Sequence, residues 1–129
     1  MSPTKKTIKQ GNYRLCYIET KPDQSPVKKF MDLIPDEQKN RFDRMFDRIC
    51  DQGKISNQDH FKKVGEFRHC GKRTPIFEFK GWMYRLFCIP SGNEWIIVHG
   101  YVKKERRCDP KEIEKVKNII KANKEILDD

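Results

Sequence analysis

The chain has 129 residues, enough for one domain with one modest core. Charged and hydrophobic residues each make up 36%, polar for a globular protein, yet the Phe, Ile and Tyr content sets it apart from disordered chains. Lys and Arg outnumber Asp and Glu 28 to 19, a net charge of +9, which points to polyanionic partners without choosing among RNA, DNA, acidic protein and anionic membrane, and fits plain solubility equally well.

Residues 1–12 carry Lys5, Lys6 and Lys9 but no apolar core, so a flexible basic tail is expected ahead of a single domain over residues 13–129. No stretch approaches eighteen consecutive apolar residues, so a cytoplasmic protein with no membrane partner is expected. Residues 13–20 alternate and favour β structure, predicting a first strand. A turn at Lys21-Pro22-Asp23 leads to Ser25, a helix cap with Pro26 in the first helical position, and Val27, Phe30, Met31 and Ile34 share one helix face.

Pro35 restarts the chain as a second helix, in which Phe42, Met45, Phe46 and Ile49 form an apolar stripe and Gly53 suits the C-terminal cap. The remaining face mixes Arg41, Arg44 and Arg48 with aspartates and reads as solvated surface. Residues 54–75 are polar and basic, with Lys62, Lys63, Arg68, His69, Lys72 and Arg73, and read either as an RNA-contacting loop or as a charged connection.

From Ile76 to Lys103 the pattern predicts two consecutive hairpins, turning at Gly81-Trp82 and at Ser91-Gly92-Asn93. Asp109-Pro110-Lys111-Glu112 then opens a terminal helix whose stripe of Ile113, Val116, Ile119, Ile120, Ala122 and Ile126 should dock on the sheet. The fold class expected is α+β: a small, antiparallel-rich twisted sheet packed with two N-terminal helices and a C-terminal helix.

The five cysteines, Cys16, Cys50, Cys70, Cys88 and Cys108, are odd in number and widely spaced, which predicts reduced thiols. His69-Cys70 lacks a second ligand pair at zinc-finger spacing, so neither a metal nor a cofactor is expected.

A period of two through the hairpins puts Phe77, Phe79, Tyr84, Leu86, Cys88, Ile96, Val98 and Gly100 on a core side. Glu78, Lys80, Arg85, His99, Tyr101 and Lys103 then share the other side with Ile76, Met83, Phe87, Trp95 and Ile97. With a two-residue turn at Gly81-Trp82, Glu78 lies opposite Arg85, and a symmetric second loop sets Arg85 opposite His99. Such a row suits attack of an RNA 2′-hydroxyl on its own phosphate, which needs a proton acceptor and cations but no metal. An ordinary cross-strand ion pair and a histidine satisfied beneath the last helix account for the same residues.

Phe77-Glu78-Phe79-Lys80 followed by Met83-Tyr84-Arg85-Leu86-Phe87 resembles the Glu-Leu-Arg and Tyr-Arg strands of the RelE/HigB toxin superfamily. His99-Gly100-Tyr101-Val102-Lys103-Lys104, with Pro110 and Glu112-Ile113 downstream, resembles the phage-derived HigB-like branch. The resemblance implies a RelE-like sheet flanked by helices and the toxin of a type II toxin–antitoxin system. It further implies a ribosome-dependent mRNA endoribonuclease whose partners are the ribosome, mRNA and a cognate antitoxin, often of helix-turn-helix type.

Carried over, Arg85 is the cation on the scissile phosphate and Lys80 the basic strand position. Lys103, Lys104 and Arg106 form the basic run of phosphate-binding and acid/base groups, and His99 is a candidate for proton transfer. Tyr101, Lys62, Lys63, Arg68, Lys72 and Arg73 complete the expected RNA-binding set. The alternatives are a non-catalytic RNA- or ribosome-binding module, such as a decayed toxin or phage regulatory protein, and a basic adaptor for an acidic protein.

Overall fold

The computed structural model describes residues 4–21, 24–69, 71–104 and 110–127. The architecture is α+β, a six-stranded mixed sheet with helices against both faces. Two strands open the chain, β1 (Thr4–Gln10) and β2 (Arg14–Glu19), followed by helices α1 (Pro26–Leu33) and α2 (Asp36–Gln52). Strands β3 (Phe61–His69), β4 (Lys72–Gly81), β5 (Tyr84–Ser91) and β6 (Glu94–Val102) come next, then α3 (Pro110–Ala122) and a 3-10 turn (Lys124–Leu127). The spatial order is β1-β2-β6-β5-β4-β3, and every neighbouring pair is antiparallel except β2 with β6.

The expected strand at 13–20, both cap positions of the helical pair and the three strands from Ile76 onward are present. Ser25 ties two elements together: its hydroxyl accepts from the Lys28 amide at 3.2 Å and donates to the Ile18 carbonyl at 2.7 Å. Gly53 closes α2 with φ +75°, and its amide donates to the Ile49 carbonyl at 2.8 Å. A side chain there would also collide with the Tyr13 ring, 2.4 Å from an ideal Cβ.

Several expectations are corrected. Residues 4–10 of the anticipated tail form β1, because pairing with β2 satisfies their backbone groups and leaves Lys9 bridging to Asp43 and Asp47 of α2. The helical pair therefore follows two strands, where one was expected. Much of the 54–75 segment is β3 and the start of β4; a register shift between Lys63 and Gly65 breaks the alternation that would have marked β3 as a strand. The turn at Pro22-Asp23 and the cap at Asp109 lie outside the described residues.

Neither sheet face is free of core. On one face α1 and α2 cover the sheet: Gly81 and Gly100 lie under the rings of Phe42 and Phe30, at 2.5 and 2.3 Å from an ideal Cβ, and Phe46 meets Phe79 edge-on with centroids 5.3 Å apart. On the other face Ile76, Phe87, Ile89 and Ile96 are fully buried along with Val116 and Ile120 of α3. The β5–β6 register slips between Phe87 and Cys88, so Phe87 pairs with His99 but Cys88 pairs with Ile97. That extra residue exchanges the faces expected for the first half of β6. Trp95 accordingly meets Phe61 and Phe77 on the α2 side, with centroids 5.3 Å away.

Candidate nucleic-acid active site

The chemistry-bearing residues sit on the α3 side of the sheet at the end formed by the β4–β5 turn. That turn is Trp82-Met83, one residue later than expected, with Gly81 paired to Tyr84 and Trp82 held at φ +55°. The second turn is the two-residue Gly92-Asn93, with Ser91 paired to Glu94. Shifting the first turn by one residue moves every pair along the strands, so Glu78 stands across from Phe87 and Arg85 from Lys80. On the other side Phe87 faces His99 and Arg85 faces Tyr101. The expected row of Glu78, Arg85 and His99 is therefore two staggered rows, Glu78-Phe87-His99 and Lys80-Arg85-Tyr101.

Glu78 and Arg85 nevertheless meet on the diagonal, Arg85 Nε lying 3.1 Å from Glu78 Oε1. Both side chains are enclosed, 12% exposed for Arg85 and 4% for Glu78. The other carboxylate oxygen, Glu78 Oε2, is buried without a hydrogen-bond partner. Arg85 Nη1 donates to the carbonyls of Trp82 and, at 3.0 Å, Tyr84, so the guanidinium also fastens the turn.

Lys62 of β3 pairs directly with Glu78, and the amide of Lys103 donates to the Met83 carbonyl at 2.7 Å, anchoring the segment after β6 beside the same turn. Burial pushes the Glu78 carboxyl up, opposed by the charges of Arg85, Lys103, Lys80 and Lys62. Burial likewise holds Lys80 below the ordinary lysine range against the pull of Glu78, helped by Lys62, Arg85 and Lys103. One carboxylate is thus ringed by four cations, one of which gives up its proton more readily than a surface lysine.

His99 belongs to a different contact. Its Nε2 lies 2.6 Å from Glu112 Oε2 of α3, and Lys115 reaches the other oxygen at 3.2 Å. Burial alone would raise the Glu112 carboxyl, but the hydrogen bonds from His99 and Lys115 outweigh it and hold the group below the usual range. The imidazole stacks at 6.0 Å on Phe87, whose other stacked neighbour is Tyr101 at 5.4 Å. His99 therefore pins α3 to the sheet one row away from Arg85.

Of the remaining expected residues, Lys63 is paired with Glu66 at 2.6 Å. Arg68, Lys72 and Arg73 occupy the far end of the β3–β4 hairpin, where Arg68 faces Arg73. At about 3.3 Å per residue they lie roughly 20 Å along the strand from Lys62. Lys104 is exposed just beyond β6, and Arg106 lies outside the described residues. Cys16, Cys50 and Cys88 are buried thiols held in no disulfide, with burial pushing Cys50 up and Cys88 well up; Cys70 and Cys108 lie outside the described residues.

The sequence set Glu78 beside Arg85 but not among the lysines, and it did not bring Lys62 to the same site. Phe61, Val64 and Phe67 carry a strand signal for β3, but the irregularity at Gly65 interrupts its period. Among the described residues no three His, Cys, Asp or Glu side chains converge to hold a metal ion, and no helix is long and apolar enough to cross a membrane. In comparisons with known proteins, no family model matches the chain, and no curated sequence matches it.

Proposed function

We propose that this chain is a metal-independent, ribosome-dependent mRNA endoribonuclease of the RelE/HigB kind, the toxin of a type II pair neutralised by a helix-turn-helix antitoxin. The observation that carries the reading is the cation cluster of Arg85, Lys80, Lys103 and Lys62 gathered around the buried Glu78. Arg85 and Lys103 supply charge to the phosphate as its negative charge grows, the largest single contribution such sites make. Lys80, with its depressed pKa, transfers the proton. The 2′-oxygen forms a bond to phosphorus as its proton leaves, the bond to the 5′-oxygen breaks, and that oxygen is protonated. The products are a 2′,3′-cyclic phosphate and a 5′-hydroxyl. Glu78, too enclosed to touch RNA, is a positioning residue that holds Arg85 and the lysines together. The helix-flanked sheet agrees at a coarse level with the fold that the resemblance implies.

Single-turnover cleavage of a labelled message on saturating programmed ribosomes tests this. The wild-type chain should leave 2′,3′-cyclic phosphate ends, and Lys80→Met should cut about 10²–10³-fold more slowly while binding ribosomes normally. A folded wild-type chain that binds ribosomes and leaves the message intact would replace this reading with the non-catalytic RNA-binding module.

A further inference from the structure

The α2 face that the sequence presents as mixed Arg and Asp is sorted by the fold. Asp43 and Asp47 turn toward β1, where Lys9 Nζ bridges them at 2.9 and 2.5 Å. Arg41, Arg44 and Arg48 occupy the other flank, all exposed, with Glu37 and Asp51 at its two ends; among the described residues none of the three arginines forms an ion pair with an acidic side chain. Together with His60, Met45 and Ile55 they line a groove of about 460 Å³.

We propose that this groove is a second phosphate-binding surface, a track for an RNA backbone distinct from the cluster around Glu78. Three features favour RNA over an acidic protein. The first is residue type, because the planar guanidinium matches phosphate with paired hydrogen bonds. The second is spacing: seven residues of helix at about 1.5 Å each set the outer arginines about 10 Å apart along the axis, far enough to reach separate phosphates of one strand. The third is continuity. His60 lines the groove, its carbonyl accepts the Lys80 amide at 2.8 Å, and Lys62 follows two residues later. The groove therefore borders the start of β3, the strand that carries Lys62 to the cluster. The proposal draws on the RNA-directed reading above but needs no cleavage.

The test is fluorescence anisotropy with a labelled single-stranded RNA of mixed sequence, across a salt series, comparing the full chain with the triple variant Arg41→Gln, Arg44→Gln, Arg48→Gln. Loss of three phosphate contacts should weaken binding and reduce the slope of log affinity against log salt by roughly 2, since each contact contributes about 0.7. The melting temperature should stay unchanged, because all three side chains are exposed. Wild-type binding with an unaltered slope in the triple variant would overturn the groove and leave the proposed function standing. Wild-type binding that is lost in the triple variant, from a chain that never cuts a ribosome-bound message, would keep the groove and remove the nuclease. A triple variant that retains RNA but loses a labelled polyglutamate peptide would assign the groove to a protein partner and overturn the proposal.

Discussion

Truncating Arg85 to alanine should damage the fold as well as the chemistry, and the Glu78 contact sets the size of the loss. The guanidinium is the nearest counter-charge to a carboxylate whose side chain is 4% exposed, at 3.1 Å. Removing one partner of a buried pair typically costs about 3–5 kcal/mol. Here Lys80, Lys103 and Lys62 still face the carboxylate, which argues for the lower end, about 3 kcal/mol or roughly 10 °C in melting temperature for a domain of this size. In a Glu78→Gln background no charge is stranded. The same truncation then removes mainly the hydrogen bonds to the Trp82 and Tyr84 carbonyls, which water can replace, and should cost about 1 kcal/mol. Urea unfolding of the wild type, both single variants and the double variant at neutral pH measures the coupling directly, with an expected value of roughly 2 kcal/mol. Additivity within about 0.5 kcal/mol would refute the reasoning, showing that Glu78 does not depend on Arg85. The cycle also decides how a cleavage defect in Arg85→Ala is read, because a rate loss persisting in the refolded, ribosome-bound variant belongs to the phosphate and not to the fold.

Glu78 also makes a pH prediction. Its carboxyl is raised by burial, so the folded state binds its proton more tightly than the unfolded state; the associated stability is complete below the unfolded value near 4.3 and is lost as pH rises through the raised folded value. Glu78→Gln should therefore match the wild type in acid and become the more stable protein as pH rises toward neutrality, and a gap that stayed constant from pH 4 to 8 in chemical unfolding would contradict this. Gly81→Ala should cost about 1–3 kcal/mol, because the new methyl would sit 2.5 Å from the Phe42 ring; adding Phe42→Leu should recover part of the loss in the same measurement, and a neutral Gly81→Ala would mean that α2 is not seated on that turn.

What the sequence by itself determined was local. Ser25, Pro26 and Gly53 marked helix ends because capping chemistry depends on one or two residues, and the stripes of α2 and α3 marked their buried faces because helical period survives without knowledge of the partner. The residue types of the candidate site, Lys80, Arg85 and Lys103, were equally legible. What only the tertiary structure decided was register and company. A turn displaced by one residue moved Arg85 from Glu78 and His99 to Lys80 and Tyr101, and one extra residue in β6 exchanged the faces of Trp95, Ile96 and Ile97. Because side chains in a strand alternate with a period of two, such single-residue shifts are invisible in composition yet reverse which groups meet. The same holds for charge: Lys62 joined Glu78 through the pairing of β3 with β4, His99 went to Glu112 once α3 docked, and Lys9 engaged Asp43 and Asp47 of α2. Each of those contacts joins residues distant in sequence, and only the packing of the elements fixes them.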